Sequence, residues 1–444
     1  MNTWIILVVA AILRLILLNQ SLWLDEAIQA EALLGHLGQI LQYALADFQP
    51  PLYHFLLLGW TYLTGFSEIT LRIPSLIAGL GTVYFVMKIG EFIGNRKLGI
   101  IAGTLAAINP LLIYYSQEGR TYSLTCFLVT ASMYYLLLAL KKPSRPNAFY
   151  YFLFTTLFLW TSYLSWFLAL ALGVYLIIKK RWDLFLALCL SVSTLALWVP
   201  SLFSSLKLGL GDATTIPNWS QVVGGASVKA LALTWIKLNL GRISFANKII
   251  YGLVVGSLAI LHTFILRKSR SSILLIWLVA PIILALLVSI FIPVYSYTRV
   301  LFIVPAYLLL LAIGLTNAKS NLYIFLLVSI SLVSNAYFWL TPRFHREDWR
   351  ALTADLNTLT NITVAVPSLR ITAPLNYYHL QAPLIELTPQ SPDTQTIHYV
   401  RYGEDIFDLE KRGQANLATS GYTIIAQYTY SGIQVDVYEK NPQD

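Results

Sequence analysis

Apolar residues fill most of this chain in long blocks separated by short polar turns. The first block, Trp4 to Leu18, is long enough with its flanks to cross a bilayer. Further spans are predicted at about 71–90, 184–205, 247–266, 272–292, 299–315 and 321–340. Residues 98–140 hold two more, and residues 148–178 hold two short ones. Basic clusters fall between them: Lys88 with Arg96-Lys97, Lys141-Lys142 with Arg145, Lys179-Lys180-Arg181, Arg267-Lys268 with Arg270, and Lys319. Such clusters mark the cytoplasmic side. Counting parity from them places Met1 inside and puts outer loops at 20–70, 114–121 and 206–246. Pro51 to Gly65 is apolar but short, and reads as a re-entrant or peripheral part of the first outer loop. Part of the 206–246 loop reads as an amphipathic helix on the membrane surface. The sum is about eleven spans, with about thirteen as the alternative.

After Leu340 the pattern changes. Residues 347–359 have helical periodicity, and Thr363 to Val366 reads as a strand. Tyr422 to Tyr430 and Ile433 to Tyr438, joined at Ser431-Gly432, read as a β-hairpin. The expected fold is therefore an all-α polytopic membrane domain, residues 1–340, followed by a small α/β domain, residues 341–444. Parity puts that domain outside the cytoplasm, in the periplasm or the extracellular space.

Composition agrees. The chain is 57% hydrophobic and 11% charged, far below the quarter typical of soluble proteins. Residues 1–340 hold 22 Lys and Arg against 9 Asp and Glu, while residues 341–444 hold 8 against 12. The net charge of +9 is thus loop charge on the membrane part, not the footprint of a nucleic-acid binder. Cys126 and Cys189 both lie in apolar runs, so neither a disulfide framework nor a cysteine metal site is expected. The first apolar block reads as a retained span of a multi-pass protein of the inner (plasma) membrane.

The scarce acids gather on one side. Asp25, Glu26, Glu31 and Asp47 fall in the first outer loop, and Glu118 falls on the second. Adjacent carboxylates at Asp25-Glu26, beside a membrane surface, ask for a functional reason. The plainer reading is that they favour the N-terminus of a loop helix at 25–35. Arg72, Arg120 and Arg299 lie near outer span ends, away from the cytoplasmic clusters. An arginine fork there suits a phosphate, although single interfacial arginines are more often snorkelling anchors. His54 on an apolar stretch reads first as structural. Tyr163, Trp166 and Trp219 face the same side by topology. Together these residues describe a site for a phosphorylated lipid and a polar acceptor. A non-enzymatic transporter or binding protein for lipid-linked glycans is the alternative. It would place charges or broken helices at mid-membrane.

Several blocks carry a family resemblance. They are Leu22-Trp23-Leu24-Asp25-Glu26-Ala27, Asp47-Phe48-Gln49-Pro50-Pro51-Leu52-Tyr53, Ser67-Glu68-Ile69-Thr70-Leu71-Arg72-Ile73-Pro74-Ser75, Tyr115-Ser116-Gln117-Glu118-Gly119-Arg120-Thr121-Tyr122, Thr161-Ser162-Tyr163 and Thr298-Arg299-Val300-Leu301. In order and spacing the chain resembles polyprenyl-phosphate-dependent glycosyltransferases of the GT-C fold, of the protein-mannosyltransferase-like group (glycosyltransferase family 39 or 83 in type). The resemblance implies a cell-envelope enzyme that moves a sugar, with inversion, from a polyprenyl-phosphate donor to a protein, lipid or glycan on the outer face. It implies Asp25 as catalytic base with Glu26 beside it. Asp47, His54, Arg72, Glu118, Arg120, Tyr163 and Arg299 are then the substrate-binding set. It leaves a divalent cation open, with Glu26 and Glu118 as its ligands if one is held. Two positions depart from the family pattern. Gln49 and Ser162 stand where the family often has His.

Overall fold

The structure is a computed structural model that describes residues 3–35, 37–215, 224–387 and 394–441. Trp219, expected to face the site, lies outside the described residues. The chain divides into two compact units. The first contains Met1–Leu18, Ala44–Ser205 and Val223–Leu340. The second contains Asn19–Tyr43, Leu206–Val222 and Thr341–Asp444.

The first unit is helical, and the chain is a multi-pass integral membrane protein. Among the described residues five helices are long and apolar enough to cross a membrane. They are Glu68–Ile93, Thr121–Lys141, Lys248–Leu266, Leu301–Ala318 and Asn321–Leu340. Two bent pairs raise the count to at most seven: Arg96–Ile108 with Pro110–Ser116, bent by 58°, and Trp182–Leu197 with Val199–Gly211, bent by 64°. That is fewer than the eleven to thirteen expected, although a helix stands at each of the eleven positions. The reason is length. Thr3–Leu15, Arg145–Leu159, Ser165–Ile178 and Ser272–Val288 have 13, 15, 14 and 17 residues. At about 1.5 Å per residue, thirteen residues rise only about 20 Å against a hydrocarbon core of about 30 Å. The 51–65 stretch forms the helix Leu52–Thr64, which is not among the spans.

Helix Glu68–Ile93 is the central element. Ser67 starts it with a capping box, its Oγ accepting from the Thr70 N–H. Its later half packs on Arg96–Ile108 at very short range. A Cβ on Gly90 would lie 2.9 Å from the Gly99 Cα, so both positions need glycine.

The first bent pair positions a functional turn. Pro110 has no N–H to give to the carbonyl four residues back, so the helix stops at Ile108. The freed carbonyls find a partner. Buried Arg14 donates to Ala107 O at 2.9 Å, Ala106 O at 3.4 Å and Ser116 Oγ at 3.1 Å. Asn109 then caps the next helix, its Oδ1 accepting from the Leu112 N–H at 3.0 Å. That short helix ends at Ser116 and delivers the segment Gln117 to Arg120, all of it buried.

The second unit holds a five-stranded mixed sheet. Its strands are β1 (Thr363–Val366), β2 (Leu384–Glu386), β3 (Thr396–Val400), β4 (Tyr422–Tyr430) and β5 (Ile433–Lys440). Their order is β2-β1-β3-β5-β4. β1 pairs in parallel with β2 and β3, and β5 pairs antiparallel with β3 and β4. The predicted strand and hairpin are present. Gly432, with φ of 84°, makes the turn. Helix Trp349–Leu356 covers the sheet, with Trp349, Leu352 and Leu356 buried against Val364, Val366, Val400 and Val435.

Candidate active site

Helix Leu24–Leu34 in the second unit carries Asp25 and Glu26 in its first turn. The residue at its N-cap is Trp23, and it has no side-chain cap hydrogen bond, so the acids do not serve as the cap residue. Asp25 is half-buried. Glu26 is buried, with its Oε2 3.7 Å from the equally buried Arg346 Nη1. Gln29 follows Asp25 by four residues, on the same helix face. It is 1% exposed, and neither polar atom of its amide has a hydrogen-bond partner among the described residues.

The tail clasps this loop at its start. The Leu22 N–H donates to the Tyr378 hydroxyl at 2.9 Å, and Ser21 Oγ donates to the same oxygen at 3.3 Å. The Arg350 N–H donates to Ser21 Oγ at 3.2 Å, and its guanidinium donates to Asn19 O at 2.6 Å. The Arg346 N–H donates to Gln20 Oε1 at 3.0 Å. Leu24 packs on the hydrophobic core that centres on Trp349. Glu31, half-buried and hydrogen-bonded to Asn376, has its carboxyl pKa raised by burial. The acids predicted to be catalytic are thus fixed by residues more than 300 positions away in sequence.

The first unit gathers most of the remaining predicted residues around Asp47. Its Oδ1 accepts from Arg120 Nη2 at 2.5 Å. Its Oδ2 lies 3.5 Å from His54 Nε2, too far for a good hydrogen bond. Burial raises the Asp47 pKa, while Arg120 and, beyond it, Arg299 pull it down. His54 is fully buried, and burial, aided by Arg120, lowers its pKa to about 3. The ring is therefore neutral at physiological pH. Tyr163 is near enough for Asp47 to act on its hydroxyl, which accepts from Trp198 Nε1 at 2.9 Å. Asp47, His54, Arg120, Tyr163 and Arg299 thus come together.

Arg72 and Glu118 have other surroundings. Arg72 is fully buried and donates to Leu18 O at 2.8 Å, so it holds backbone. Glu118 is buried near Tyr115 and Arg242. Arg242 was not singled out from sequence. Its guanidinium lies 4.7 Å from the Tyr114 ring centre and donates to the Tyr114 hydroxyl at 2.6 Å. Tyr115, Tyr297 and Glu118 also act on its charge. The signal was available, because Arg242 sits in the predicted outer loop 206–246, away from every cytoplasmic cluster. Among the described residues no group of three or more His, Cys, Asp or Glu could hold a metal ion.

An apolar groove of about 840 Å³ opens in the first unit, lined by Trp4, Leu7, Trp60, Ile77, Tyr84 and Phe127 among others. Its walls come from helices Thr3–Leu15, Leu52–Thr64, Glu68–Ile93 and Thr121–Lys141.

Residues 48–204 match the family model described as dolichyl-phosphate-mannose-protein mannosyltransferase. No curated protein matches the sequence. Among solved structures, ArnT from Cupriavidus metallidurans in the apo state is 12% identical, with a TM-score of 0.56 over 98% of this chain and 97% of that one. ArnT from the same organism bound to undecaprenyl phosphate is 13% identical, with a TM-score of 0.54 over 98% and 96%. At that identity the likeness gives the fold, which is of the GT-C type. With the match over residues 48–204, the chain is a membrane glycosyltransferase.

Proposed function

We propose that the chain transfers a sugar from a polyprenyl-phosphate donor to an acceptor on the outer face of the membrane, with inversion at the anomeric carbon. The observation that carries this is the family match over residues 48–204, which spans His54, Arg72, Glu118, Arg120 and Tyr163 and begins one residue after Asp47. The ArnT structure with undecaprenyl phosphate, similar in fold, supports the donor class.

Asp25 is the base. It takes the acceptor proton as the acceptor atom attacks the anomeric carbon and the bond to the lipid phosphate breaks. Glu26, held by Arg346, keeps the helix turn that presents Asp25 in register, and the unspent Gln29 amide offers hydrogen bonds to the acceptor. Arg299 and Arg242 oppose the charge that develops on the departing phosphate. Arg120 is committed to Asp47 and shapes the site. The apolar groove takes the isoprenoid chain, burying methylene and methyl groups that need no polar partner. The basic clusters support an outward position for Asp25.

The test uses membranes that supply native acceptors, with and without this chain. Mannosyl-, glucosyl- and arabinosyl-phosphoundecaprenol, labelled in the sugar, are added. The expected result is label moving from one lipid to an acceptor only where the chain is present, with the opposite anomeric configuration in the product. No transfer from any of them, beside an active control transferase, contradicts the reading.

A further inference from the structure

We propose that Asp47 and Gln49 form a hydroxyl-binding subsite for the transferred sugar, a reading that rests on the donor class proposed above. The two residues flank Phe48 in the turn between helices Leu37–Ala46 and Leu52–Thr64. Phe48 has φ of 55°, a left-handed conformation that strains a bulky residue. The turn keeps it because both ends are fixed. Pro50 restricts Gln49 to extended backbone, and the Leu52 N–H donates to Trp160 O at 3.1 Å.

That rigid turn buries two acceptors without donors. Gln49 is 5% exposed, and its Oε1 has no hydrogen-bond partner among the described residues. The Asp47 side chain is 8% exposed. Arg120 occupies its Oδ1, and its Oδ2 makes no hydrogen bond among the described residues. Each such buried atom is destabilising while it lacks a donor. A protein retains them where a ligand brings the missing donors. The ligand chemistry is constrained. A carbonyl oxygen and a carboxylate oxygen repel phosphate and gain nothing from an isoprenoid tail. They accept from O–H groups, and a sugar ring offers several at short spacing. Arg120 takes Oδ1 and leaves Oδ2 for the ligand, and neutral His54, its Nε2 3.5 Å from Oδ2, adds no competing positive charge.

The subsite separates sugar recognition from lipid-phosphate recognition, so the test compares the two. The full chain in nanodiscs is titrated with undecaprenyl phosphate and with mannosyl-, glucosyl- and arabinosyl-phosphoundecaprenol. At least one sugar lipid should bind wild type more tightly than the bare lipid phosphate. Gln49→Met and Asp47→Asn should each reduce that excess, roughly three- to tenfold for the loss of one hydrogen bond. Undecaprenyl phosphate itself should bind both variants within about twofold of wild type. Gln49→Met, which removes an unsatisfied buried carbonyl, should also leave the unliganded melting temperature unchanged or higher. Three results overturn the subsite: no sugar lipid outbinds the bare phosphate, the excess survives both variants, or sugar and bare lipids weaken equally with a lowered melting temperature. Failure of every lipid, undecaprenyl phosphate included, to bind wild type overturns the donor reading, and the subsite with it.

Discussion

Replacing Arg120 by Met removes the cation from a pair in which neither side chain is more than a tenth exposed. Asp47 is left in surroundings that already raise its pKa. Removing one partner of a buried pair costs about 3–5 kcal/mol. Asp47 has an escape that sets a ceiling, because it can take a proton. From its ordinary value of 3.8, protonation at pH 7 costs about 4 kcal/mol at about 1.36 kcal/mol per pKa unit. Burial has raised the value already, so the cost is lower, and Arg299 offsets part of it. The expected loss for Arg120→Met is therefore about 3 kcal/mol at pH 7. The sign of its pH dependence follows. In the variant the folded Asp47 pKa stands above the unfolded value, so the folded state binds the extra proton. Stability is full below the unfolded value of about 3.8 and is lost as pH rises through the folded value. The assay is unfolding of the purified protein in detergent at pH 4.5 and pH 7. The gap between wild type and variant should narrow at the lower pH, and Asp47→Asn combined with Arg120→Met should recover more than half of the loss. A loss under about 1 kcal/mol, the range of exposed pairs, or a gap that ignores pH, refutes the buried-pair argument.

Three further outcomes are expected. Tyr378→Phe deprives the Leu22 N–H of its acceptor, so kcat should fall while the donor KM changes little, and the 19–35 segment should become easier to cleave. Unchanged kcat contradicts the clasp. His54 has a folded pKa of about 3 against an ordinary 6.5, so its contribution is full above 6.5 and lost as pH falls. From pH 7 to pH 5 that amounts to about 2 kcal/mol; His54→Gln should lose that much less over the same interval, and equal losses refute it. Arg242→Gln should weaken undecaprenyl phosphate binding by about tenfold, the loss of one charge-assisted hydrogen bond, and an unchanged Kd removes Arg242 from the phosphate site.

What was legible in the sequence was local. The hairpin at Tyr422–Tyr430 and Ile433–Lys440 follows from alternation and a Ser-Gly turn, and the long spans follow from apolar runs. The break at Asn109 had its signal in Pro110, but the apolar run from Gly99 to Tyr115 masked it as one continuous span. Long-range pairing had no signal. Nothing near Glu26 announces Arg346, nor anything near Leu22 the Tyr378 hydroxyl. For the same reason the sequence boundary at residue 340 differs from the compact units, in which Asn19–Tyr43 groups with the tail. The cluster around Asp47 was half legible. Its residue types were picked out as polar exceptions in apolar surroundings, but the pairing of Asp47 with Arg120 and the neutrality of His54 depend on burial, which spacing alone does not give.

We propose above all that Asp25 is the base of a transfer from a lipid-linked sugar. Its most direct measurement is the transfer rate of Asp25→Asn beside wild type, in the same membranes and at matched protein level. The expected result is a fall of about 10²–10⁴-fold, the usual contribution of a general base, with undecaprenyl phosphate binding intact. Transfer by Asp25→Asn at the wild-type rate would contradict it.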